Sequence, residues 1–187
     1  MSETRKANVE GAAYFITLTV EGWIDAFTRK ELVQEFVRNV EYCQQHKGLE
    51  VYAYVIMPSH VHMVVRREGG LLSEWLRDFK SWTAKRMVSL IQENQGESRR
   101  EWLLELLHRW AFGKAQHKEF VFWKKDSHPI ELWSKKATEQ KITYIHQNPV
   151  EAGIVTEAHH YLLSSAHPDG LIVLNGYLQK EEGLGFV

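Results

Sequence analysis

An α+β fold built on a ferredoxin-like, split βαβ antiparallel sheet with added helices is predicted by three observations. Strand and helix signals follow the order strand, helix, strand, strand, helix, strand, which is the order of that topology. The second and third strand signals flank Pro58-Ser59 and so meet at a tight turn. The chain has 187 residues, 44% hydrophobic and 25% charged, the size and composition of one globular domain with appendages.

Residues 1–12 are polar and without periodicity, and read as a flexible arm. Tyr14 to Val20 is β-branched and aromatic, a first strand on which Thr17 and Thr19 alternate with Ile16 and Leu18. Thr28 with Glu31 three residues later has the spacing of a capping box. Leu32, Val33, Phe36, Val37, Val40 and Cys43 then follow helical spacing, and Gly48 stops the helix. Strands follow over about 50–57 and 60–66.

Gly69-Gly70 breaks the chain before a second helix over about 71–92, whose predicted buried stripe is Leu72, Trp75, Leu76, Phe79, Trp82 and Ile91. A short helix spans about 99–110, and Phe120 to Trp123 is the fourth strand candidate. Pro129 suits a first helical position, giving a last main helix over about 130–148 that Pro149 and Gly153 end. Residues 166–187 read as a C-terminal tail with one apolar run, Leu171 to Leu174.

In the predicted topology the first and third strands are central neighbours, and helices cover one face. The other face is left for a ligand or an extra helix.

No apolar run approaches the roughly 18 residues of a membrane-spanning helix, so no membrane partner is expected. The opening residues lead into no signal-peptide core, and Cys43 is the single cysteine, which excludes an intrachain disulfide and a zinc–thiolate cluster. A cytoplasmic protein is the simplest expectation. Net charge is −1, but it is unevenly spread: residues 80–141 hold 13 Lys/Arg against 8 Asp/Glu, while 142–187 hold 1 against 5. The basic centre suits a polyanion, and equally suits a solvated helix face.

The chemistry concentrates in two places. Side chains on a strand alternate with period two, so His60 and His62 share a face and form half of a metal site. Hydrogen-bonded structural histidines are the alternative. Tyr144 and Asn148, four apart, share a helix face. An amide oxygen can complete a histidine-pair metal site, and a phenol can attack a phosphorus atom whose oxygen a cation polarises. Without the histidines, Tyr144 reads as a core or interface residue.

The run Val55-Ile56-Met57-Pro58-Ser59-His60-Val61-His62 resembles the His-hydrophobic-His (HUH) motif of single-tyrosine transposases that act on single-stranded DNA. Tyr144-Ile145-His146-Gln147-Asn148-Pro149-Val150-Glu151-Ala152-Gly153 resembles the tyrosine-bearing helix end of their REP-associated branch. Phe122-Trp123 and the strand Tyr14 to Thr19 fit the same pattern, and the resemblance runs from about Tyr14 to Ser165.

That resemblance implies an HUH transposase-like catalytic domain over 13–165. His60, His62 and Asn148 would ligate Mg²⁺ or Mn²⁺. Tyr144 would attack the scissile phosphate of a hairpin-flanked DNA site, forming a 5′-phosphotyrosine link and freeing a 3′-OH. The implied partner is single-stranded DNA with hairpin or repeat elements, with a homodimer as one assembly. The implied role is DNA transposition or the processing of repeat elements by a domesticated relative.

Two positions depart from the pattern. Many insertion-sequence members carry Gln four residues after the tyrosine, where this chain has the shorter Asn148, and relatives often have Asn where it has Ser59. Lys80, Lys85, Arg86, Lys124, Lys125, Lys135, Lys136 and Lys141 are candidate DNA-phosphate contacts, and Trp82, Trp123 and Trp133 candidate base-stacking residues or core. Two other functions fit the same residues: a non-catalytic single-stranded nucleic-acid-binding module, and a metal-dependent phosphodiesterase in which water attacks.

Overall fold

The computed structural model describes residues 7–112 and 119–176. Its centre is a four-stranded antiparallel sheet of order β2-β3-β1-β4, formed by β1 (Ala13–Thr19), β2 (Leu49–Ile56), β3 (His60–Arg67) and β4 (Ile130–Glu131). The first and third strands are therefore central neighbours, as the split βαβ order requires. Their register pairs Thr19 with His60, Thr17 with His62, and Phe15 with Val64.

That register sorts the side chains. Ile16, Leu18, Val61, Met63 and Val65 are buried on one face. They pack with Phe36 and Val40 of α1 (Lys30–His46), Phe79 and Met87 of α2 (Leu72–Glu93), and Leu103 and Leu107 of α3 (Arg100–Ala111). Phe15, Val55 and Val64 face the other way, with His60 and His62 on the same side. A β-bulge between Val51 and Ala53 turns both Tyr52 and Ala53 to this second face. α4 (Lys135–Glu151) covers it in part, through Ile145. The face expected to be open thus carries an extra helix, and that helix bears Tyr144.

Local chemistry explains several boundaries. Gly48 follows the end of α1 at φ 64°, and a Cβ there would stand 2.5 Å from the Glu68 carbonyl oxygen, so glycine is required. The start of α1 differs from expectation. Arg29 occupies the cap position without a side-chain cap bond, and the Thr28 hydroxyl donates instead to the Asp25 carbonyl.

The largest correction lies at the β1 edge. Phe120 to Trp123 is not a regular strand; Trp123 forms an isolated bridge with Val20. The chain then follows the edge irregularly, with Lys124 N–H donating to Thr19 O and Thr17 N–H to Ser127 O. The regular fourth strand is the two-residue Ile130–Glu131, paired with Phe15 and Tyr14. Pro129 therefore precedes a strand, and α4 begins after Ser134, whose hydroxyl accepts from Ala137 N–H. Pro149 lies inside the last turn of α4 rather than ending it.

Trp82, expected in the buried stripe of α2, is 61% exposed. The segment after α4 packs along β2: Ile56 N–H donates to Leu163 O, Ser165 N–H to Tyr54 O, and Asn175 N–H to Val51 O, with Ile172 buried. Among the described residues no helix is long and apolar enough to cross a membrane.

Candidate active site

The alternation of β3 puts both imidazoles on the α4 side, where their ring centroids are 4.7 Å apart. Each ring is tethered through Nδ1. His62 Nδ1 lies 2.9 Å from the Thr17 hydroxyl across the β1–β3 pair, and His60 Nδ1 lies 3.2 Å from the Ser59 hydroxyl. These tethers do not use Nε2 of either ring. His62 is buried and stacks on Phe15 at 5.3 Å.

α4 brings the phenol and the amide. The Tyr144 ring meets His62 edge to face at 5.3 Å and Phe15 at 5.8 Å. Asn148, one helical turn on, is hydrogen-bonded through its side chain to His60. The four residues singled out at two distant places in the sequence therefore converge. Tyr144 remains 39% exposed, so the phenol is accessible. Ile145, its neighbour on α4, is fully buried and anchors the helix to the sheet. His146 contributes to the same anchoring, with Nε2 3.0 Å from the Ser165 hydroxyl.

The electrostatics favour neutral imidazoles. Burial lowers the His60 pKa, opposed by the Asn148 hydrogen bond. Burial, with smaller contributions from His60 and the Lys141 charge, pushes His62 down to about 3. Neutral imidazole is the form that ligates metals. Two Nε2 atoms and an amide oxygen are a fitting donor set for a divalent cation, and hydroxyl tethers of this kind orient the rings of histidines that ligate metals. Among the described residues no carboxylate joins the imidazole pair in a three-donor group, so a cation bound by this set alone would keep its charge for a phosphate.

The basic candidates divide by environment. Lys141 Nζ lies 4.7 Å from the Phe15 ring centroid and 5.5 Å from that of Tyr144, beside the site. Lys124 Nζ lies 4.5 Å from the Trp23 centroid. Lys80 is turned inward, its ammonium donating to the Lys124 and Lys125 carbonyls and the Ser127 hydroxyl at 2.6, 2.7 and 3.1 Å. Arg86 is paired with Glu35 at 3.2 Å. Lys85, Lys125, Lys135 and Lys136 are exposed on the surface.

Of the aromatic candidates, Trp123 is buried and donates to the Thr83 hydroxyl, whereas Trp82 and Trp133 are exposed. Sequence reasoning missed Trp23. It is 58% exposed and meets His60 edge to face at 5.5 Å. The available signal was a tryptophan directly after a glycine in a connecting segment, where turn residues are usually small or polar. A separate exposed group, Glu157, His159 and His160, brings three donor atoms within 4.8 Å of one another.

No protein-family model matches the chain, and no curated protein matches it. Solved structures do. A REP-associated tyrosine transposase bound to a REP hairpin superposes with a TM-score of 0.62 at 18% identity, over 88% of this chain and 82% of that one. A candidate transposase from Deinococcus radiodurans R1 gives a TM-score of 0.44 at 18% identity, over 78% of this chain and 95% of its own. At such identity the first likeness is one of fold, and the second is looser still.

Proposed function

We propose that this chain, which has the fold of a REP-associated tyrosine transposase, is itself a metal-dependent tyrosine strand transferase of the HUH type acting on single-stranded DNA. The observation that carries the reading is the convergence of His60, His62, Tyr144 and Asn148 on one face of the sheet. The substrate is single-stranded DNA next to hairpin or repeat elements, and the role is transposition or repeat-element processing.

Each residue has a physical task. His60, His62 and Asn148 would hold Mg²⁺ or Mn²⁺, which when bound polarises a phosphate oxygen. Tyr144 Oη attacks phosphorus, forming a P–O bond to tyrosine as the P–O3′ bond breaks. The phenolic proton is balanced by protonation of the departing 3′ oxygen. The link keeps a phosphodiester-like bond, so a 3′-OH can reverse the step and join strands without an external energy source. Lys141, over the Phe15 ring and beside Tyr144, supplies positive charge for the phosphate and the developing phenolate. The packing of α4 through Ile145 holds the phenol in reach of the site.

The test is a labelled single-stranded hairpin DNA incubated with Mn²⁺ and resolved on a denaturing protein gel. A covalent adduct that needs metal and is lost in Tyr144→Phe is expected. Cleavage that survives Tyr144→Phe would replace this reading with a water-using phosphodiesterase. DNA binding without any cut would replace it with a binding module.

A further inference from the structure

Trp23 sits in a backbone conformation that a bulky side chain seldom adopts. Its φ is 57°, directly after Gly22 at 68°. Non-glycine residues in this region are uncommon, aromatic ones more so, and such strain clusters at ligand-holding sites. The turn is fixed from several sides. Trp23 N–H donates to Val20 O at 3.0 Å, and Glu21 N–H donates to Phe122 O at 2.7 Å. A Cβ on Gly22 would lie 2.7 Å from Trp110 Nε1, so an indole from α3 packs directly on the turn. This buttressing presents a large apolar ring to solvent.

Its neighbours give the ring a chemical context. On one side is His60, the first residue of β3. Over the ring is the Lys124 ammonium. The main chain of Lys124 is held in place: its N–H donates to Thr19 O, and its carbonyl accepts from Lys80. An aromatic ring more than half exposed, with an ammonium over it, is a combination that binds single-stranded nucleic acid. The base stacks on the ring, and the cation meets the adjoining phosphate. Tyr144 meets His62, further along β3, so each imidazole of the pair has its own aromatic neighbour.

We propose that Trp23 and Lys124 form a nucleotide-holding platform on the His60 side of the site. Trp23 stacks one nucleobase neighbouring the scissile phosphate, and Lys124 contacts the phosphate next to it. This rests on the reading of the site as one for single-stranded DNA, but not on the tyrosine chemistry. Trp23 is a positioning residue that fixes where the strand enters.

The test uses the full chain carrying Tyr144→Phe, without metal, so that binding is read apart from cleavage. The probes are a fluorescein-labelled oligothymidine of about 15 nucleotides and an abasic oligomer of the same length, in the range of single-strand site sizes. Adding Trp23→Ala is expected to weaken oligothymidine binding about 10-fold and leave abasic binding unchanged, with Trp23→Phe restoring most of the loss. Lys124→Gln is expected to weaken both probes and to reduce the salt slope by about one. Equal effects of Trp23→Ala on both probes, or none on either, would overturn the platform while leaving the tyrosine adduct assay untouched. Failure of the Tyr144→Phe chain to bind either probe would overturn the single-stranded DNA reading as well.

Discussion

The Thr17 hydroxyl lies 2.9 Å from His62 Nδ1, across the central strand pair. The contact holds the imidazole ring with Nε2 available to the site, and it comes from the strand register rather than from a neighbour in sequence. Thr17→Val keeps the β-branched shape and removes the oxygen. It is expected to lower Mn²⁺ affinity and metal-dependent cleavage 10- to 100-fold, the usual loss when an outer-shell partner of a ligating histidine is removed. Calorimetric titration with Mn²⁺ checks the affinity, and metal-free DNA binding should not change. Unaltered Mn²⁺ affinity in the variant would show that Thr17 does not orient the ligand.

The histidines also make stability depend on pH. Burial lowers the folded-state pKa of His60 and His146, and takes that of His62 to about 3, against 6.5 for a free histidine. Between those values the unfolded chain binds more protons than the folded one, so stability falls as pH drops below about 6.5 and is intact above it. Glu97, held near a pKa of about 2 by its pairing with Arg29, gives way only below the ordinary glutamate value. The interval from pH 6.5 to 5 therefore reports on histidine. Urea midpoints of the metal-free chain should fall across it, and His62→Gln should make that fall shallower. Identical slopes for the two proteins would contradict the burial of a neutral His62.

The sequence made some of this legible because its signals are local. Period-two alternation put His60 and His62 on one face, and four-residue spacing aligned Tyr144 with Asn148. The β1 edge was misread because a two-residue strand, Ile130–Glu131, is too short to show a period, whereas the aromatic run Phe120 to Trp123 satisfies strand propensity while its bonds are irregular. Trp82 follows Phe79 by three residues, yet it falls at the boundary of the α2 stripe and turns outward. Lys80 and Trp23 depend on partners 44 and 37 positions away in the chain, Lys124 and His60, and pairing at that range leaves no periodic trace.

Lys80 separates a structural lysine from the lysines proposed to meet DNA. Its ammonium donates to two carbonyls and a hydroxyl in the segment that follows the β1 edge. Bonds to a charged donor contribute about 1.5–3 kcal/mol when intact. Lys80→Met keeps much of the apolar stem and should lower Tm by several degrees, given about 2–4 °C per kcal/mol for a chain of this size. Hydrogen exchange should accelerate at Lys124 and at Thr17, whose N–H groups bond along that edge. A variant with unchanged Tm and exchange but weaker DNA binding would instead make Lys80 a phosphate contact.

Trp23→Gly tests whether the strained turn is kept for folding or for binding. Glycine accepts the positive φ that tryptophan occupies at 57°, and relief of a left-handed non-glycine conformation is worth about 1–2 kcal/mol. The lost contacts with His60 and Lys124 oppose this gain: the two-fifths of the residue that is covered, roughly 100 Å², contributes about 2 kcal/mol. The variant is therefore expected to stay within a few degrees of the parent in Tm, while losing base-dependent binding as is expected of Trp23→Ala. A turn that adds no net stability yet is required for base-dependent binding would be one shaped by ligand rather than by the fold. A clear fall in Tm would locate the role of Trp23 in packing against His60, and thermal melts of the two proteins side by side decide between the two.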